Sequence, residues 1–203
     1  DLMTYIPSMS GVYTHDTLVE RGELQTEDEA MATLYQTYLD EEINAIKNEV
    51  LGTAVGNFTT TQLGRLAVET MLTYGRSVDD DVIASFHNFG GVRAPIVAGE
   101  VTYGDLYKAF PFDNELIIAE VTGSELQWWM SQNLLMRTID NMPSIQTNRT
   151  YKIISINYLT EKHWAAESDY PHNENTILNT FEYVRELLRT RWLDVGSLSA
   201  SNY

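Results

Sequence analysis

The chain has 203 residues, 43% of them hydrophobic and 11% aromatic, enough to bury a substantial core in one large domain or one medium domain with an appendage. Lys plus Arg number 13 against 29 Asp plus Glu, a formal charge of −16, so most of the surface repels a polyanion and no nucleic acid polymer is expected as a partner. Cysteine is absent, which excludes disulfides, thiolate metal sites and cysteine nucleophiles, and no apolar run reaches the roughly 18 residues of a membrane span.

From Asp1 to about residue 25 no hydrophobic period emerges, and an irregular arm or the remnant of an upstream region is expected there. The first residue is Asp and not Met, which suggests a mature form or an excised fragment. Thr26 and Glu29 form a capping-box pattern, and Leu34, Tyr35, Tyr38, Ile43, Ile46 and Val50 recur near helical spacing up to Gly52. A linker helix over 26–52 follows, and residues 53–203 are assigned to the main domain.

A second helix is predicted from Leu63, Leu66, Ala67, Thr70, Met71 and Tyr74, with Gly75 just past its end. Val82–Asn88, Glu115–Val121 and Thr150–Leu159 read as strands. Between them, Thr102 with Asp105 opens one helix, and Thr122 with Glu125 opens another that carries Leu126, Trp129, Met130 and Leu134. A last helix is predicted from about Thr176 through Phe181, Val184 and Leu188. Strands alternating with helices indicate a mixed α/β domain.

Catalytic motifs are missing in an informative way. His15, His87, His163 and His172 show no metal-binding spacing, and neither a P-loop nor a nucleophile elbow is present. Asp79–Asp81 can attract a divalent ion, but three adjacent acids in a turn are more often a solvated corner. Asn57 and Asn148 open glycosylation-type triplets of the kind that arise often by chance.

Positive signals cluster between Asn88 and Phe112. Gly90 and Gly91 follow a strand and leave main-chain N–H groups open to a polar ligand. Arg93 adds a forked donor that matches a phosphate or a ribose diol, although the pattern by itself favours a plain turn with a surface arginine. Phe112, aimed by Pro111, can stack on a planar base or lie in the core, and Tyr158 has the same two readings.

The ordered run NFGGVRAPIVAGEVTYGDLYKAFPFDNELIIAEVTGSEL resembles the C-terminal domain of the 5′-nucleotidase / UDP-sugar hydrolase family. That family's pattern reads Asn-Gly-Gly-Gly-Ile-Arg, then Gly-x-x-Thr, then Pro-Phe-x-Asn and a strand. QLGRLAVETM upstream and YKIISINYL downstream extend the similarity over about Gln62 to Leu159. The resemblance implies a layered α/β/β/α nucleotide-binding domain preceded by a linker helix. It implies that Asn88, Gly90, Gly91 and Arg93 hold the nucleoside and phosphate, that Phe112 and Tyr158 sandwich the base, and that Asp169 stands in for a loop aspartate.

By the same resemblance the chain binds no metal cofactor of its own. Two divalent metals and the catalytic His and Asp would sit on an N-terminal metallophosphatase domain, joined in cis or in trans. The implied protein is a hydrolase of nucleotide catabolism, exported to the periplasm, the cell wall or the outside, and this chain alone would bind without turnover. Departures from the pattern are Phe89 at the first family glycine, Arg65 at the helix asparagine, and TEKHWAAESDYP, including Trp164, in place of a Gly-Gly-Asp-Gly loop. The arginine that the family carries shortly before that helix also has no counterpart in VGNFTTT, and its loss, with the remodelled loop, suits an alternative, a stand-alone nucleotide-binding or surface-interaction module without hydrolase activity.

Overall fold

In the computed structural model, residues 37, 41, 43–160 and 177–203 are described. Residues 46–203 make one compact unit and 1–45 another. Residues 37, 41 and 43–47 are helical, and the rest of the predicted linker helix lies outside the described residues. Its C-terminal boundary is corrected: Val50, Leu51 and Gly52 belong to a strand, β1 (Val50–Val55). The β-branched Val50 and Val55 suit that assignment better than a helix end.

Eight strands and four α-helices lie wholly within the described residues. After β1 come α1 (Thr60–Val78), β2 (Val82–Asn88), β3 (Gly99–Thr102), α2 (Tyr103–Ala109), β4 (Glu115–Thr122), α3 (Gly123–Ser131) and β5 (Leu134–Thr138). The chain then forms β6 (Thr150–Ile156), β7 (Ile177–Tyr183), α4 (Val184–Val195) and β8 (Ser197–Ser199). The strands divide into a three-stranded sheet, β3-β1-β8, and a five-stranded sheet, β5-β2-β6-β4-β7. In the larger sheet β2 and β6 run parallel, whereas the other neighbours run antiparallel.

Helix starts follow local chemistry. Thr59, Thr102 and Thr122 each accept a hydrogen bond from the N3 backbone N–H while the N3 side chain of Gln62, Asp105 or Glu125 accepts one from the cap residue's own N–H, which satisfies donors that a helix N-terminus leaves unpaired. The predicted caps at Thr102 and Thr122 are therefore present. Helix α1 buries Leu63, Leu66, Ala67 and Met71 completely and packs them on β2, β5 and β6. It continues through Gly75, which is no C-terminal stop: a Cβ there would come within 3.1 Å of Ile154 Cγ2, so glycine lets the helix lie close on β6.

Core and polar strand residues are reconciled within the sheet. Ser85 Oγ donates to the Val68 carbonyl at 2.6 Å and Ser155 Oγ to the Phe86 carbonyl at 3.2 Å, so neither buried hydroxyl is orphaned. On the smaller sheet, Arg189 of α4 forks onto Glu49 at 2.8 and 2.6 Å, fixing α4 to the residue before β1.

Three predicted boundaries are corrected. Strand β6 stops at Ile156 and residues 157–160 are helical, so Tyr158 stands on a first helical turn. Helix α3 stops at Ser131, and Leu134 opens β5. The last helix begins at Val184, because 177–183 pairs with β4 as an edge strand.

That edge strand is bulged, since Tyr183 and Asn179 pair with Glu115 and Ile117. At the bulge Phe181 has φ 58° and is 76% exposed. Asn179 Oδ1 accepts from the Phe181 N–H at 2.8 Å and Thr180 Oγ1 donates to the Leu116 carbonyl at 2.9 Å, which together hold the strained residue in place. A bulky side chain in this left-handed region is disfavoured, whereas Asn tolerates it. Phe181→Asn is therefore expected to stabilise the domain by about 1 kcal/mol, read as a higher urea midpoint at unchanged slope.

Candidate functional site

Strand β2 delivers Asn88 to a 3-10 turn, Phe89–Gly91. His87, the preceding residue, is fully buried. Its Nδ1 lies 2.8 Å from the Asn88 carbonyl, so that nitrogen carries the proton and donates, leaving Nε2 as a buried acceptor without a partner. Burial pushes the imidazole pKa down to about 4, against the opposing pull of the Asn88 carbonyl. The ring is neutral at pH 7.

Gly91 is buried against this imidazole. A Cβ at Gly91 would stand 2.4 Å from His87 Cε1 and 2.8 Å from Asn88 Oδ1, so the turn closes over the two side chains because residue 91 has none. Gly90 faces outward: a Cβ there would have the Asn88 side-chain nitrogen at 3.6 Å as its nearest neighbour. Its backbone is thus approachable from solvent. Asn88 is half-buried, and its Oδ1, like the His87 Nε2, is a buried acceptor without a partner.

Arg93 emerges two residues after the turn. Its backbone N–H donates to the Ala109 carbonyl at 2.8 Å, tying it to the end of α2, while its guanidinium is exposed and makes a long contact of 3.3 Å with the Gly90 carbonyl. Just beyond Ala109 the chain turns through buried Phe110, Pro111 and Phe112, the last 47% exposed. His87 touches this corner too, edge-on to the Phe110 ring with centroids 6.2 Å apart.

Tyr158 is 40% exposed. It is placed by Asn157, whose Oδ1 accepts from the Tyr158 N–H at 2.9 Å and from the Glu115 N–H at 3.2 Å. One amide side chain therefore ties the first turn after β6 to the first residue of β4.

The sheet explains why these segments meet. Because β2 and β6 are parallel and β4 is antiparallel to β6, with Leu116 opposite Ile156, the ends of β2 and β6 and the start of β4 share one end of the sheet. Asn88, Gly90, Gly91, Phe112 and Tyr158 follow or precede those strand ends by a few residues. Arg93 joins them through its bond to Ala109. Five of the six residues are polar, aromatic or exposed enough to meet a ligand, and the sixth, Gly91, shapes the turn that carries them.

Other predicted positions fall elsewhere. Asp169 and Trp164 lie outside the described residues. Arg65 directs its guanidinium to the Tyr203 carbonyl at 2.7 Å, so it braces α1 against the last residues of the chain. Phe89 is 41% exposed beside the glycines and adds an apolar flank to the turn.

Among the described residues, the group of metal-ligating side chains is Asp79–Asp81, with carboxylate oxygens within 4.8 Å of one another. Lys152 Nζ already stands 2.6 Å from Asp79 and 3.6 Å from Asp81, and its hydrogen bond holds the Asp79 carboxyl below the usual range. An ammonium thus supplies the positive charge at this corner, in line with a structural role for the acids. Asn57 also serves locally, its Oδ1 accepting from the Ala98 N–H at 2.9 Å. Among the described residues no helix is long and apolar enough to cross a membrane.

Two residues of the site escape sequence reasoning. His87 sits in a strand without a motif around it, and the only hint is a titratable residue at an inward-facing position of an apolar run. Arg185, at the start of α4, contacts the Phe110–Asp113 corner from a distant part of the chain, and no spacing signals that.

Comparison with known proteins bears on the whole arrangement. The family model for the 5′-nucleotidase C-terminal domain matches residues 40–143, just over half of the chain. A Treponema pallidum protein named as a probable 5′-nucleotidase is 42% identical over 67 residues, covering 31% of this chain and 11% of that protein. The NAD 5′-nucleotidase of Haemophilus influenzae is 31% identical over 97 residues, covering 48% and 15%. Among solved structures, the 5′-nucleotidase precursor of Thermus thermophilus superposes with a TM-score of 0.63 at 17% identity, over 83% of this chain and 41% of that one. The Haemophilus influenzae NAD nucleotidase superposes at 0.59 and 17% identity, over 91% and 42%. This chain spans less than half the length of each of these proteins, and the structural likeness extends the shared fold beyond the matched sequence. The mixed α/β architecture, the glycine turn with its arginine and the matched family model together place the chain in the family of 5′-nucleotidase C-terminal domains.

Proposed function

We propose that the chain is the nucleotide-binding half of a 5′-nucleotidase-type metallophosphoesterase acting on nucleoside monophosphates or related nucleotides. The observation that carries this reading is the convergence of an exposed arginine, an open glycine backbone and two half-exposed aromatic rings at one end of the five-stranded sheet. Each part matches a different portion of a nucleotide. The Arg93 fork suits phosphate or ribose oxygens, and the Gly90 backbone and Asn88 amide add polar contacts. Phe112 and Tyr158 offer flat faces to a base.

Hydrolysis itself is assigned to a partner domain. In this reading two divalent metals, with a catalytic His and Asp, lie on an N-terminal metallophosphatase domain outside these residues, in cis or in trans, and an exported setting goes with it. At the acidic corner Asp79–Asp81 the Lys152 ammonium already occupies two of the three carboxylates and competes with any cation there. What this chain contributes is capture and orientation, which makes the reacting phosphate local to the other domain.

Calorimetry on the purified chain with AMP, adenosine and UDP-glucose tests the proposal. Binding of at least one nucleotide is expected, with no phosphate released from AMP in Mn²⁺ or Mg²⁺. Arg93→Ala is expected to weaken AMP about 10- to 100-fold, the range for a lost charge-assisted hydrogen-bonded contact, and to leave adenosine within threefold. No heat with any of the three ligands would favour an interaction module that has kept the fold, and phosphate release by the chain alone would overturn the division of labour.

A further inference from the structure

Arg185 is buried, 7% exposed, and among the described residues it is the one formally charged side chain that is. It is the second residue of α4, and its guanidinium reaches away from that helix. Nη1 donates to the Phe110 carbonyl at 2.9 Å, Nη2 pairs with the Asp113 carboxylate, and Nε donates to the Tyr103 hydroxyl at 3.1 Å. The guanidinium carbon stands 4.5 Å from the centroid of the Tyr107 ring. Tyr103 in turn donates to Glu186, so the hydroxyl that receives Arg185 is itself oriented.

Two of these contacts bracket a short segment. Phe110 and Asp113 are the residues on either side of Pro111 and Phe112. Pro111 limits its own φ, and the guanidinium pins the flanking residues, so the direction of the Phe112 ring is set from both ends. We propose that Arg185 is the positioning residue for the base-stacking face of this domain, holding Phe112 in the orientation that receives a planar ring. The inference rests on the nucleotide-site reading given above.

A planar fork is required for the task. The three nitrogens address a carbonyl, a carboxylate and a hydroxyl in different directions while the guanidinium carbon stands over the Tyr107 ring, a combination that a lysine ammonium does not reproduce. A residue that only tied α4 to α2 would affect every ligand alike. One that aims Phe112 affects the base and not the phosphate.

NMR titration of the full 203-residue chain with AMP and with ribose 5-phosphate separates these roles, because it reads affinities into the millimolar range. Arg185→Met is expected to weaken AMP about tenfold, within the range of one base–aromatic stack, and to leave ribose 5-phosphate within twofold. Arg185→Lys should fall between. In a Phe112→Ala background, Arg185→Met should cause no further loss of AMP affinity. Asp113→Ala, which removes one arm of the bracket from an exposed position, keeps the test available if Arg185→Met does not fold, and should show the same selective loss at smaller size. Equal weakening of both ligands, an unchanged AMP affinity, or a full Arg185 effect without Phe112 overturns the positioning role. Failure of the wild-type chain to bind AMP would instead overturn the nucleotide site itself.

Discussion

Between pH 6.5 and pH 4 the domain is expected to lose on the order of 3 kcal/mol of stability through His87 alone, the differential proton binding for a pKa lowered from 6.5 to about 4. The sign follows from the direction of the shift. An unfolded chain takes up a proton at this imidazole as the pH drops below its ordinary pKa, while the folded chain resists until about pH 4, so the unfolded state gains throughout that window and the gain levels off below it. Burial is the dominant cause, and the Asn88 carbonyl offsets part of it. His87→Gln should remove this component, so that urea midpoints of the variant fall less steeply than wild type over the same pH range. Parallel curves would show that the ring titrates alike in the folded and unfolded chain. The effect concerns the site directly, because the imidazole fills the space beneath Gly91 and touches Phe110.

Trp192→Ala is expected to cost about 3–5 kcal/mol, the range for truncating a large buried aromatic. The indole is completely buried on α4 and meets Phe58 edge-on with centroids 5.7 Å apart. Phe58 stacks at a tilt on Tyr203, so one cluster joins α4, the segment after β1 and the last residue of the chain. A further detail separates packing from polarity: the indole Nε1 is buried without a hydrogen-bond partner. Trp192→Phe deletes that orphan together with some volume, and should cost less than half as much as Trp192→Ala in chemical denaturation, since an unsatisfied donor is itself unfavourable. Similar losses for both variants would mean that the indole nitrogen is satisfied.

Local chemistry made part of this domain legible in its sequence. The caps at Thr102 and Thr122 sit within one turn of the groups they satisfy, and the strand Val82–Asn88 was readable because its β-branched and aromatic residues end at a glycine pair. Shorter elements left little trace. Strands β3 and β8 have four and three residues, too few for a period, and β7 imitates a helix because the bulge at Phe181 breaks its alternation. The site shows the same division: Arg93 and Phe112 were visible as residue types in a recognisable order, whereas His87 and Arg185 act through neighbours that only the fold supplies. Tyr158 reads as a strand end because the β-rich run continues up to it, whereas in the fold Asn157 bonds to Glu115 across the sheet and starts a helical turn.

The parallel pairing of β2 with β6 carries one more consequence. Arg93, Phe112 and Tyr158 are separated by 19 and 46 residues along the chain (112 − 93 and 158 − 112), and they share a place only when β2, β6 and β4 are all in register. A ligand that bridges them therefore has no binding surface on any single fragment, and its whole binding energy is available to favour the assembled state. At a ligand concentration a hundredfold above the dissociation constant this amounts to about 2.7 kcal/mol. In the proposed reading, a bound nucleotide would favour the folded state of its own receptor and shield the domain from proteolysis as its concentration rises.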